Sequence, residues 1–175
     1  MQDSVSMALD AFVSEEVGLF QVGARSFHLD DCLMGGRDEN GNLYPDKTRF
    51  PNGITHLIDK AHSLNVSFGI YTCSGTETCV GGRPGSWDHW TQDAKTFASW
   101  GVDWVKMDNC NVPSGHKPEE YYPLMGKALN ETGRPITFNM CEWGEDDPWN
   151  WGYNISQSWR ATGDHVGTWE STKSI

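Results

Sequence analysis

Val102-Asp-Trp-Val-Lys-Met-Asp-Asn-Cys110 reads as a strand whose carboxyl end carries charge. Val102 to Met107 is a short, largely apolar run of the kind that suits a buried strand, and Lys106 and Asp108 stand at its end. The same order of elements recurs on both sides. Immediately upstream lie a helix near 88–100, a Gly, Pro and Trp loop near 81–87, and a strand from Val66 to Tyr71. Before these, Pro51-Asn-Gly opens a helix through Ile54, Leu57, Ile58, Ala61 and Leu64. Further back, Val5, Ala8, Leu9, Phe12 and Val13 fall at helical spacing, a strand is expected near Ser26–Cys32, and Arg37-Asp-Glu-Asn-Gly-Asn reads as a loop. Downstream, Tyr121 to Asn130 reads as a helix stopped by Gly133, and Pro135 to Met140 as a strand.

Strands alternating with helices of about ten to fifteen residues predict parallel βα units and an α/β fold. An open nucleotide-binding sheet would carry a Gly-rich phosphate turn after its first strand, and neither GxGxxG nor GxxxxGK followed by Ser or Thr occurs. A closed (β/α)8 TIM barrel gains from that absence. It gains more from where the polar residues sit: Asp30 and Asp31, Tyr71, Lys106 and Asp108, Glu142 and Trp143, Arg160 and Asp164 each follow a predicted strand. In a barrel those carboxyl ends converge on one face, where active sites are built.

Composition narrows the partners. The 175 residues hold 13 Lys and Arg against 24 Asp and Glu, a net charge of −11 that opposes binding to nucleic acid or to anionic membranes. No apolar run approaches the roughly 20 residues of a membrane helix. Nine Trp and 19 Gly in so short a chain hint at loops that stack aromatic rings on sugars. The five cysteines form no CxxC pair, and His-x-His is absent, so no metal site is expected and disulfides are the better reading. Sequons at Asn65, Asn130 and Asn154 permit glycosylation in a secreted protein. Residues 1–20, with Asp10, Glu15 and Glu16, do not have the layout of a signal peptide, so either export is absent or the true N-terminus lies elsewhere.

Lys106 and Asp108 are two apart, so on a strand both side chains point the same way. An ammonium beside a carboxylate favours its ionised, nucleophilic form, while a buried ion pair is the plainer reading of the same spacing. Asp164 follows Arg160 on a turn and reads equally as a loop aspartate or a helix cap. Two carboxylates from separate strand ends are nevertheless the parts of a glycosidase. A metal-dependent hydrolase built on Asp30, Asp31, Asp108 and His165 is the weaker rival. His56, His62 and His89 fall in predicted helices, His28 reads as packing, and His116 as surface loop.

Leu29-Asp-Asp-Cys32, Arg37-Asp-x-x-Gly-x-Leu43, Arg49-Phe-Pro-Asn-Gly-Ile54, Gly69-Ile-Tyr71, Thr78-Cys79, Pro84-Gly-Ser86, Phe97-Ala-x-Trp-Gly-Val-Asp103, Lys106-x-Asp-Asn-Cys110, Cys141-Glu-Trp143 and Trp159-Arg160 occur in order. Together they resemble the α-galactosidases of glycoside hydrolase family 27, in a fungal-looking form. Lys-x-Asp-Asn-Cys is the most specific of these motifs. The resemblance implies a retaining enzyme that releases terminal α-D-galactose from oligosaccharides or galactomannan side chains, with Asp108 as nucleophile, Asp164 as acid and base, and no metal or organic cofactor. It implies that Lys106 and Arg160 position Asp108 and the sugar, that Asp30 and Asp31 grip hydroxyls, and that Tyr71 and Trp143 add aromatic contact. Adjacent strand residues face opposite ways, so one of Asp30 and Asp31 must reach the pocket from a turn. By the same resemblance Glu142 reads the 2-hydroxyl, which favours galactose over N-acetylgalactosamine, and Cys79 borders the site through a disulfide with Cys110. The family partner of Cys32 has no counterpart upstream, and Cys73 and Cys141 have no assignment.

Against the family pattern, Leu33 stands where Trp usually follows Asp-Asp-Cys. The family's first strand, its seventh and eighth strands with a Trp-x-Asp-Pro-Asp-Met segment, and its C-terminal β-sandwich have no match. A complete barrel takes about 250 residues. Residues 1–175 are therefore expected to be an incomplete barrel domain, strands two to six of the pattern, from a larger protein that is secreted. A galactose-binding or sensor relative without turnover, or an inactive fragment, is the alternative reading.

Overall fold

The expected alternation is present, and it is parallel. The computed structural model describes residues 1–173. Among these, helices α1 (Gln2–Val13), α2 (Thr55–Ser63), α3 (Trp90–Trp100), α4 (Pro118–Glu131) and α5 (Trp169–Lys173) are threaded with strands β1 (Ser26–His28), β4 (Ser67–Cys73), β5 (Trp104–Asp108), β6 (Thr137–Cys141) and β7 (Ser158–Trp159). A small antiparallel hairpin, β2 (Met34–Arg37) and β3 (Leu43–Pro45), is inserted between β1 and α2. The main sheet runs in the order β1-β4-β5-β6-β7, and each neighbouring pair is parallel. Successive strands thus lie side by side in chain order, as in an arc of a (β/α)8 barrel.

Two-residue periodicity sorts the sheet into two faces. Phe68 and Ile70, Val105 and Met107, and Phe138 and Met140 join one buried core with Leu57, Ile58 and Ala61 of α2, Ala94 and Phe97 of α3, and Tyr122, Met125 and Leu129 of α4. The alternate residues, Tyr71 and Cys73, Lys106 and Asp108, and Asn139 and Cys141, therefore point to the other face. Register brings them level: Tyr71 pairs with Lys106 and Lys106 with Asn139, while Cys73 pairs with Asp108 and Asp108 with Cys141. β4 is buried at six of its seven positions, as expected of a central parallel strand covered on both sides.

The sequence reading needs three corrections, and its loop after the first strand acquires a context. The first strand stops at His28 rather than Cys32, so both Asp30 and Asp31 lie in the turn beyond it. The loop expected at Arg37-Asp-Glu-Asn-Gly-Asn is present as the tip of the hairpin, with Arg37 itself the last residue of β2. Asp38 accepts the backbone N–H groups of Asn40 and Asn42 at 2.9 and 2.8 Å, and Gly41 supplies the left-handed turn residue at φ 82°. α4 begins at Pro118, three residues before the expected start at Tyr121, because proline is well suited to the first helical position, where no intrahelical N–H is needed. The abundance of tryptophan is chiefly structural: Trp87, Trp90, Trp100, Trp151 and Trp159 pack on the core, and Trp104 stacks on His28 at 4.0 Å.

Candidate active site

The carboxyl ends of β4, β5 and β6 and the turn after β1 bring a charged cluster together. Asp108, 7% exposed, uses both carboxylate oxygens. The Tyr71 hydroxyl donates to Oδ2 at 3.1 Å, and the Asn109 backbone N–H donates to Oδ1 at 3.0 Å. The Lys106 ammonium stands 3.9 Å from Oδ2 and donates more closely, at 2.8 Å, to Oδ2 of Asp30. It also lies 5.1 Å from the centre of the Tyr71 ring. Burial pushes Lys106 toward neutrality, but the Asp30 hydrogen bond and nearby negative charge outweigh it and raise its pKa. Burial likewise opposes ionisation of Asp30, yet Lys106, the Asp31 N–H and Arg160 hold its carboxyl below the usual range. Tyr71 is buried, and its phenol is pushed far up, so it stays a protonated donor toward Asp108.

On the β7 side, the Arg160 backbone N–H donates to the Met140 carbonyl and so seats Arg160 beside the end of β6. Its guanidinium lies 2.5 Å from Oδ1 of Asp164 and donates to the Thr162 carbonyl at 2.9 Å. The Asp164 side chain is 86% exposed. A buried carboxylate fixed by three polar neighbours thus stands on one strand end, and an exposed carboxylate tethered to arginine follows another.

Residues 2–175 match the family profile described as alpha galactosidase A, Melibiase_2. The chain belongs to that family. An alpha-galactosidase of Coffea arabica is 49% identical over 166 residues, covering 94% of this chain and 43% of that protein. One of Cyamopsis tetragonoloba is 47% identical over 175 residues, covering 99% and 42%. The solved alpha-galactosidase I of Mortierella vinacea superposes with a TM-score of 0.89 at 40% identity, covering 94% of this chain and 42% of that one. An alpha-galactosidase of Saccharomyces cerevisiae solved with raffinose gives 0.86 at 38%, covering 93% and 37%. The chain spans about two-fifths of the length of these relatives.

The remaining positions singled out from the sequence of this alpha-galactosidase family member fall into two groups. Asp31 and Cys79 border the cluster through backbone. Oδ2 of Asp31 accepts the Val80 N–H at 3.0 Å, the Cys79 N–H reaches the Tyr71 hydroxyl at 3.4 Å, and Cys79 is bridged to Cys110. The loop that carries Cys79 lies flat against the one after β5 because Gly75 has no side chain; a Cβ there would sit 2.2 Å from the Cys110 carbonyl. Glu142 and Trp143 share no hydrogen bond with the cluster among the described residues. Glu142 is fully buried, with its two oxygens accepting the N–H groups of Gly144 and Asp146, each at 2.8 Å. It anchors the turn after β6, where Trp143 takes a left-handed conformation at φ 63°, rather than presenting a free carboxylate to a hydroxyl. Burial raises the Glu142 pKa against the pull of those backbone donors.

Two residues without a role in the sequence reading belong to the site. Cys141, buried at the end of β6, pairs in register with Asp108, and its sulfur is 4.0 Å from Arg160 Nη1. Burial, reinforced by the Asp108 charge, pushes its thiol up to about 12, so it stays protonated and neutral. Asn109 accepts the hydroxyls of Tyr121 at 2.5 Å and Ser74 at 3.2 Å and so fixes the backbone next to Asp108. The signal for Cys141 was its place on the strand, immediately before Glu142 and level with Asp108. A groove of ≈ 680 Å³ between α4, residues 134–138 and residues 153–157 shares no residue with this cluster.

Proposed function

We propose that residues 1–175 form part of a (β/α)8 catalytic domain of a retaining α-galactosidase acting on terminal α-D-galactosides. The observation that carries the reading is Asp108: a strand-end carboxylate held by Tyr71, the Asn109 N–H and Lys106 is oriented and charge-compensated, as a nucleophile requires. Asp108 attacks the anomeric carbon while Asp164 protonates the departing glycosidic oxygen. Water then displaces Asp108 with Asp164 as base. Retention by this route needs the two carboxyl groups about 5–5.5 Å apart when sugar is bound. Lys106 and Asp30 bind sugar hydroxyls, Arg160 carries Asp164, and Asp31 and Cys79 shape the rim through the Val80 and Cys79 N–H groups. Oligosaccharides such as raffinose and galactomannan side chains are the substrate class. The Cys79–Cys110 bridge favours an oxidising, extracellular setting. No helix among the described residues is long and apolar enough to cross a membrane.

The test is trapping with a mechanism-based fluorinated α-galactosyl donor followed by peptide mapping. A label on Asp108, absent from Asp108→Asn, supports the assignment; a label on another residue, or none in a folded chain that binds galactose, overturns it. The second outcome is the galactose-binding reading.

A further inference from the structure

Cys73, at the carboxyl end of β4, is fully buried, and its sulfur lies within 4.8 Å of both sulfurs of the Cys79–Cys110 bridge. It sits against Cys110 in particular. The Cys110 N–H donates to Cys73 Sγ at 3.1 Å, and the Cys73 thiol points back to the Cys110 carbonyl at 3.0 Å. The glycosidase chemistry proposed above makes no use of this thiol. We propose that Cys73 is the resident exchange partner of the bridge, so that Cys79–Cys110 isomerises to Cys73–Cys110 and releases Cys79 as a free thiol.

In this step Cys73 gives its proton to solvent and its thiolate attacks Cys110 Sγ. The Cys73–Cys110 bond forms as Cys79–Cys110 breaks, and the electron pair leaves on Cys79, which takes a proton from solvent. One disulfide and one thiol stand on each side, so no oxidant or reductant enters. Burial decides the direction: Cys73 is buried, Cys110 half-buried and Cys79 exposed. Attack at Cys110 expels the sulfur that water can solvate, whereas attack at Cys79 would expel the more enclosed one. Burial pushes the Cys73 thiol up to about 11, against the pull of the Gly75 and Cys110 N–H groups, so exchange at neutral pH is slow and base-accelerated. The isomer has a consequence for the neighbouring cluster. The backbone of Cys79 and Val80 donates to Tyr71 and Asp31, and loss of the Cys79 anchor loosens both ties.

The experiment uses the 175-residue chain without added thiol. Samples held between pH 6 and pH 9 are quenched in acid, alkylated while denatured, digested without reduction and mapped. The expected result is a Cys73–Cys110 linked peptide together with alkylated Cys79, at an initial rate that rises about tenfold per pH unit and is independent of protein concentration. Cys73→Ser removes both products, and Cys79→Ser treated with oxidised glutathione forms the Cys73–Cys110 link directly. A wild-type map that shows only Cys79–Cys110 at every pH overturns the proposal, as does exchange onto Cys32 or Cys141, or a rate that scales with protein concentration. The wild-type map decides the matter without either variant, and no part of it depends on glycosidase activity.

Discussion

Arg37→Met tests whether the hairpin is held by one buried ion pair. The guanidinium donates to both oxygens of Asp93 on α3, at 2.7 and 2.8 Å, and to the carbonyls of Gly41 and Gly85 at 2.8 Å each. Asp93 has no exposed side-chain surface and Arg37 only 16%, so solvent screening does little to weaken the pair. Removing one partner leaves a carboxylate stranded in the interior, at about 3–5 kcal/mol. For a chain of this length each kcal/mol moves the thermal midpoint by about 2–4 °C, so the variant should melt about 6–20 °C lower. The double variant Arg37→Met with Asp93→Leu strands no charge and should recover most of that loss. Circular dichroism melts and urea titrations with unchanged m values measure all three shifts. A single variant that melts within about 2 °C of wild type, or a double variant as unstable as the sum of the singles, refutes the reasoning. The same guanidinium also holds Gly85, in the loop that carries Cys79, so the pair links fold stability to the rim of the strand-end cluster.

Asp108→Asn should lower hydrolysis of an aryl α-galactoside at least ~10²-fold while leaving the melting curve close to that of wild type. Tyr71→Phe removes a hydrogen bond to a charged acceptor, about 1.5–3 kcal/mol, and should appear as a ~10-fold to 10²-fold loss in kcat/KM. The Asp103 carboxyl lies below its usual range: burial opposes ionisation, but the Phe68 N–H, His62 and Arg134 outweigh it. Its folded pKa is below the unfolded value near ~3.9, so its contribution is complete above that pH and drains away as acid is added. Acid titration should therefore show a shallower stability loss for Asp103→Asn than for wild type. Replacing both Cys79 and Cys110 by Ser opens a loop of sequence separation 31 and should destabilise by about 3–4 kcal/mol in urea titration.

What was legible in the sequence was whatever period and local chemistry encode. Phe68, Ile70, Val105 and Met107 announce buried parallel strands by alternation within short apolar runs, and all four lie in the core. The Lys106 and Asp108 pair was legible for the same reason, since side chains two apart on a strand share a face. The hairpin was not. Its strands are only four and three residues long, and its stability comes from Asp93, 56 residues away in sequence, which no local pattern reveals. Glu142 shows a different limit. Its residue type permits sugar contact, but its carboxylate is used by the backbone of Gly144 and Asp146, and that choice depends on the left-handed turn at Trp143. Tryptophan content misled for a third reason. An indole serves a core as readily as a sugar site, and composition counts rings without saying which side of the sheet they face.

The two carboxylates of the proposed mechanism differ in how their positions are set. Asp108 is placed by elements wholly within this chain: β5 carries it, β4 supplies Tyr71, and the turn after β1 supplies Asp30 to hold Lys106. Each partner is itself anchored, since Cys79 donates to Tyr71 and the Asp31 N–H to Asp30. Among the described residues Asp164 has only Arg160, and Arg160 hangs from β7, a two-residue strand paired through two positions of β6. A nucleophile must be oriented before attack, so rigidity there lowers the entropic part of the barrel's task. An acid that becomes a base must meet first a leaving group and then water, and an exposed arginine-tethered loop gives it that reach. Stability and activity should consequently respond to different residues. Substitutions that loosen β7 should lower turnover through Asp164 before they lower the melting point, whereas substitutions at Arg37 or Asp93 should do the reverse.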